Sequence, residues 1–153
     1  LTNHPKMTAL AVEFFARFAR FEHALKEIPE FRNGDEDGVK PNWDVFGQAA
    51  EIAALYSAIV AAPKAQYLVQ NPPRKRIVRS GILEWKDMPK PQNTMEVLVA
   101  IRRVRNNLFH GDKGNPNLSR NVQLFEACIA ILDMALAANN DVLLAYEINQ
   151  DIS

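Results

Sequence analysis

The sequence predicts an all-α protein, a mostly antiparallel bundle of four to five helices that takes residues 1–153 as a single domain. Three observations carry that expectation. Apolar residues recur at alternating steps of three and four along several long stretches, capping and helix-ending residues bracket them, and no strand-like alternation stands out except within the proline-broken stretch from Lys64 to Gln92. At 153 residues the chain is long enough for one domain with a substantial core.

The first helix is expected from about Met7 to Ile28, where Met7, Leu10 or Ala11, Phe14, Phe18, Phe21, Leu25 and Ile28 form an apolar stripe that Val12 and Phe15 widen and Pro29 closes. After a polar loop, Asn42 caps a second helix to about Ala61, with Val45, Phe46, Ala49, Ile52, Ala53, Tyr56, Ile59 and Val60 facing inward and Pro63 ending it. Prolines 72, 73, 89 and 91 break up the next stretch, which reads as a long connection holding a short helix or an extended piece. Asn93, three residues before Glu96, opens a third helix in the manner of a capping box. Its buried positions are Val97, Leu98, Ile101, Val104 and Leu108, and Gly111 ends it. Asn115-Pro116 opens a fourth helix to about Ala138, striped by Leu118, Val122, Phe125, Ile129, Leu132 and Leu136, and a short helix from Val142 to Ile148 follows.

Apolar residues make up 48% and charged residues 24%, a balance typical of a globular chain, and no apolar run is expected to reach the length of a membrane span. The opening LTNHPKM lacks the features of a signal peptide, so a cytoplasmic protein is expected. The single cysteine, Cys128, lies among apolar residues and reads as a small buried hydrophobe. Eighteen acidic and eighteen basic residues cancel, so an anionic partner must be held by a local cluster.

Such a cluster closes the third helix, in VRNNLFHGD. On an ideal helix Arg105 and His110 diverge by about 140° and stand about 7.5 Å apart along the axis, whereas Asn106 and His110, four residues apart, share a face. Arg105 borders the buried stripe between Ile101 and Leu108, so its head is expected to emerge from a partly buried crevice. A helix ending alone accounts for some of this, because the dipole favours cations in the last turn by tenths of a kcal/mol to about 1 kcal/mol.

Arg105-Asn106-Asn107-Leu108-Phe109-His110 resembles the motif of the HEPN superfamily, an arginine and a histidine separated by four to six residues, with a polar residue after the arginine. The resemblance covers the bundle in outline from about Met7 to Ala138, and only these six residues are specific. It implies a metal-independent endoribonuclease without a cofactor, acting as a homodimer in which two facing motifs build one composite site, in a toxin or antiviral setting with a cognate antitoxin or regulatory partner. Arg105, His110 and Asn106 would be catalytic, and Arg102, Arg103, Asn107 and Lys113 would contact RNA. The chemistry suits the residues: histidine titrates near neutral pH and moves protons, and arginine holds phosphate oxygens with a fixed fork. Some family toxins carry a tyrosine two residues after the histidine that a nucleotidyltransferase modifies; Asp112 stands there, so that control is not expected. The alternative is a non-catalytic helical module of the same type that binds a nucleotide or a protein.

Other features are weaker. Arg74, Lys75, Arg76 and Arg79 in PRKRIVR form the densest basic patch, able to guide RNA but lacking an interleaved aromatic for base stacking. Asn33, Asp35, Asp37, Gly38 and Asp44 partly imitate a calcium loop, although Lys40 takes its usually apolar position and Asp44 is shorter than the customary glutamate. Glu22, beside the first stripe, is a candidate partner for Arg105 or Asn106.

Overall fold

Helix α1 (Pro5–Glu27) buries Met7, Ala11, Phe14, Phe18, Phe21, Ala24 and Leu25, the stripe read from the sequence with Ala24 added and Ile28 left half-buried beyond the helix end. It belongs to a computed structural model that describes residues 5–108 and 118–148. The stripe is narrower than its apolar residues suggest: Val12 is 58% and Phe15 39% exposed, so these two do not widen the core. Helix α1 packs against helices α7 (Leu118–Ala138) and α8 (Asn140–Ile148).

The protein is mostly helical, but strictly all-α is corrected by two antiparallel hairpins. The first pairs β1 (Arg32–Asp35) with β2 (Gly38–Pro41), and the second pairs β3 (Lys75–Arg79) with β4 (Ile82–Lys86). The physical reason for the second hairpin is its two-residue turn, since Ser80 (φ 51°) and Gly81 (φ 77°) both take the positive φ that matches strand twist in a tight hairpin.

The first hairpin also removes the calcium reading. Asn33 faces Lys40 across the ladder, its Oδ1 accepts from Asn42 Nδ2 at 3.2 Å, and Asp35 Oδ1 accepts the backbone N–H of Asp37 at 2.8 Å. Paired strands hold Asn33 and Asp35 extended, and Asp44 lies in the helix beyond the hairpin, where a calcium loop must wrap its ligands around one point. Among the described residues, no group of three or more acidic, histidine or cysteine side chains is gathered to hold a metal.

Asn42 does cap the second helical region, accepting from the Val45 N–H at 3.1 Å, but one continuous helix to Ala61 does not form. The region is broken into α2 (Trp43–Gln48), α3 (Ala50–Ala53) and α4 (Tyr56–Ala61), because Ala49 turns extended (φ −57°, ψ 135°) between the first two. The breaks change which side chains face inward: Phe46, Ile52 and Ile59 are fully buried, while Val45 and Val60 are exposed. Helix α5 (Gln66–Gln70) then packs on α7, burying Leu68 and Val69.

Helix α6 (Thr94–Asn107) starts where the sequence places it. Asn93 Oδ1 accepts from the Glu96 N–H at 2.9 Å, and Glu96 Oε1 reaches back one residue further than a capping box requires, to the Gln92 N–H at 3.1 Å. Replacing Asn93 with alanine is expected to cost about 0.5–2 kcal/mol, read as a lower urea midpoint at unchanged slope; no shift would show that tertiary packing alone sets this helix start.

An aromatic cluster joins α1 to α2. Trp43 stacks on Phe21 at 5.4 Å and Phe18 at 5.5 Å, Phe46 meets Phe21 edge-on at 5.5 Å, and Phe31 meets Phe46 at 5.2 Å. Glu22 belongs to this cluster and not to Arg105 or Asn106, since its Oε2 accepts from the Trp43 indole N–H at 2.8 Å.

Helix α7 buries Leu124, Phe125, Ala127, Cys128, Ile131, Leu132, Ala135 and Leu136. Its mean hydropathy of 1.5 over a membrane-spanning length corrects the expectation that no apolar stretch approaches a span; in this fold that apolarity serves packing against α1 and α5. Burial pushes the Cys128 thiol well above its ordinary pKa, so it packs as a hydrophobe.

Candidate functional site

The last two turns of α6 present their polar residues on two nearly opposite faces. Arg105 and Asn107 are two residues apart and so diverge by about 160°. Toward α1, the Arg105 guanidinium lies 5.8 Å from the Phe15 ring centroid and 5.7 Å from that of Phe18. Arg105 is half-buried with its Nε shielded from solvent, and its Nη1 donates to Asn106 Oδ1 at 3.3 Å. The aromatic faces favour the cation and restrict its planar fork. Phe15, left partly exposed by the core, thus forms one wall of the crevice that holds Arg105.

Toward β3, Asn107 Nδ2 donates to the Arg74 carbonyl at 2.8 Å. That amide therefore anchors the hairpin to the end of α6. Arg103, four residues earlier, shares the Asn107 face, and partial burial lowers its pKa from the ordinary arginine value by desolvation. Arg102, three residues before Arg105, lies on the Arg105 side and is half-buried. His110 and Lys113, with Gly111, Asp112, Asn115 and Pro116, lie outside the described residues. Of the expected catalytic residues, Arg105 and Asn106 are therefore seen together at the end of α6.

The residues that sequence reading missed come from the hairpin and the start of α7. Trp85 stands opposite Arg76 in the ladder; the Arg76 guanidinium is 4.8 Å from the indole centroid and that of Arg74 5.7 Å. The basic patch does have its aromatic, supplied by the opposite strand instead of its own. Arg120 Nη2 donates to the Pro72 carbonyl at 2.9 Å, so the root of the hairpin is tied both to the end of α6 and to the start of α7. Beside it opens a polar cavity of about 420 Å³ lined by Gln70, Asn71, Arg74, Asp87, Met88 and Arg120, among others. One signal for this arrangement was in the sequence: Ser80-Gly81 between two short apolar runs is a hairpin pattern, and it pairs Arg76 with Trp85.

No match to the chain was found among protein-family models, curated proteins or solved structures.

Proposed function

We propose that the chain is a HEPN-type, metal-independent endoribonuclease that acts in the cytoplasm as a homodimer, with Arg105, Asn106 and His110 of each copy contributing to one composite site. The observation that carries this reading is the setting of Arg105. Its guanidinium lies over the Phe15 and Phe18 rings and beside a neighbouring amide in the last turn of a helix, and the histidine follows in sequence after four residues. A cation confined in this way is preorganised for the oxygens of a phosphate whose negative charge grows during reaction.

In the proposed reaction a ribose 2′-oxygen attacks the adjacent phosphorus as the bond to the 5′-oxygen of the next nucleotide breaks. Imidazole accepts the 2′-hydroxyl proton or delivers one to the departing 5′-oxygen, and the two copies allow one histidine for each task. Arg105 balances the charge of the crowded phosphorane, and Asn106 orients the guanidinium through the contact at 3.3 Å.

The test is incubation of single-stranded RNA with the purified chain in EDTA, followed by analysis of the new ends. The expected products carry 2′,3′-cyclic phosphate and 5′-hydroxyl ends, and their yield per chain falls on dilution below the dimer dissociation constant. Absence of cleavage over a panel of RNAs by a chain that is demonstrably dimeric would leave the non-catalytic module as the reading to adopt.

A further inference from the structure

We infer that the β3/β4 hairpin is a docking arm for single-stranded RNA, in which Trp85 and its flanking arginines take a base and its phosphates beside the open cavity that Arg120 helps to line. The ligand class rests on the cleavage reading above; the site itself rests on four observations of the hairpin.

The first is charge. Between positions 74 and 87 stand Arg74, Lys75, Arg76, Arg79 and Lys86 against Glu84 and Asp87, a local cationic surplus in a chain of formal net charge zero. Glu84 is engaged by Arg79 at 3.4 Å, which leaves Arg74, Lys75, Arg76 and Lys86 as the hairpin's basic side chains outside that pair. The second is the arginine–tryptophan stack, since bases pile on aromatic rings and on guanidinium planes, and every base has a π-face to offer. On the same face of the ladder, Val78 and Leu83 stand opposite each other at 66% and 60% exposure, an apolar flank for an unstacked base.

The third is the adjoining cavity. Its size suits one nucleotide-scale group, with Arg74 and Arg120 available to a phosphate and Gln70, Asn71 and Asp87 to the polar edge of a base. The fourth is location. Through Asn107 and Arg120 the hairpin root is fastened to the two helices that flank positions 109–117, the segment that carries His110. RNA lying on this arm has its neighbouring phosphates near the end of α6. A duplex would hide its base faces, so single strands are the form this surface suits.

Binding is measured on the His110→Ala chain, so that cleavage cannot deplete the ligand, with fluorescein-labelled 12-nucleotide oligo-uridine and oligo-adenosine followed by anisotropy. Trp85→Ala is expected to weaken binding by about five- to 150-fold, as expected for loss of one stacked base. Arg74→Ala and Arg76→Ala are each expected to lower the slope of log affinity against log salt by about 0.7. The chain's two tryptophans provide an internal signal: Trp43 is 4% exposed in the core, so emission changes on adding RNA should report Trp85 and vanish in Trp85→Phe. Should Trp85→Ala fail to fold by circular dichroism, the double variant Arg74→Ala, Arg76→Ala decides in its place.

Affinity and salt slope untouched by these hairpin substitutions would overturn the proposal. So would poly-glutamate that binds as tightly with the same change in Trp85 emission, which would assign the arm to an acidic protein. Hairpin-dependent RNA binding by a wild-type chain that never cleaves would sink the nuclease reading and leave the arm standing. Cleavage at full efficiency by the hairpin variants would do the reverse.

Discussion

Substituting His110 by alanine is expected to lower RNA cleavage by about two to four orders of magnitude, the usual contribution of a positioned proton-transfer group. Arg105→Ala is expected to lose about two to three orders, the scale of one preorganised group removed from a developing oxyanion. Both losses should fall mainly on kcat, because proton transfer and phosphorane charge belong to the transition state more than to bound RNA. Arg105→Lys should recover little. Lysine keeps the charge but cannot lie as a planar fork against Phe15 and Phe18, whose rings flank the guanidinium at 5.8 and 5.7 Å. The check is single-turnover cleavage in EDTA with equal RNA saturation for each variant. Cleavage that survives both alanine substitutions within a factor of a few belongs to some other group or to a contaminant, and the assignment falls with it.

Phe21→Ala is expected to destabilise the fold by about 3–5 kcal/mol, a large fraction of the stability of an ordinary domain. Phe21 is fully buried, stacks on Trp43 at 5.4 Å and meets Phe46 edge-on at 5.5 Å, so its removal leaves a hole bounded by rigid rings that collapse poorly. The effect should reach the candidate site. Trp43 also stacks on Phe18, the ring beneath Arg105, so a loosened cluster loosens the wall that positions the guanidinium. Urea denaturation followed through Trp43 emission measures the loss. A change below about 1 kcal/mol would mean that the cluster repacks around the missing ring, and that its complementarity matters little to the fold.

Much of the helical frame was legible because it depends on local pattern. The α1 stripe from Met7 to Leu25 repeats at helical spacing over about five turns, and only a buried face rewards such repetition. The start of α6 was equally local: a capping side chain satisfies an amide three residues on, so Asn93 and Glu96 carry the information between them. The failures have equally specific causes. An apolar side chain at the edge of a stripe can serve another element, and Phe15 flanks Arg105 instead of filling the core. The helix expected from Asn42 to Ala61 broke at Ala49, whose own identity favours a helix; packing of the surrounding pieces overrides that preference. The stretch from Lys64 to Gln92, read as a long connection with a short helix or an extended piece, holds both helix α5 and the β3/β4 hairpin, because the Ser80-Gly81 turn lets its two short apolar runs pair.

The same division runs through the site. Arg105, Asn106 and His110 are recognisable from order and spacing, because helix geometry relates neighbours in sequence to directions in space. Their surroundings join positions far apart in the chain: Phe15 and Phe18 beside Arg105, Asn107 on the carbonyl of Arg74, Arg120 on that of Pro72. Spacing along one helix holds no information about such contacts, which arise when the bundle closes and polar groups find partners across elements. Residue order thus marked which side chains carry the proposed chemistry, and the packed fold settled that Arg105 is walled by aromatic rings and that a cationic, tryptophan-bearing hairpin is fastened beside it.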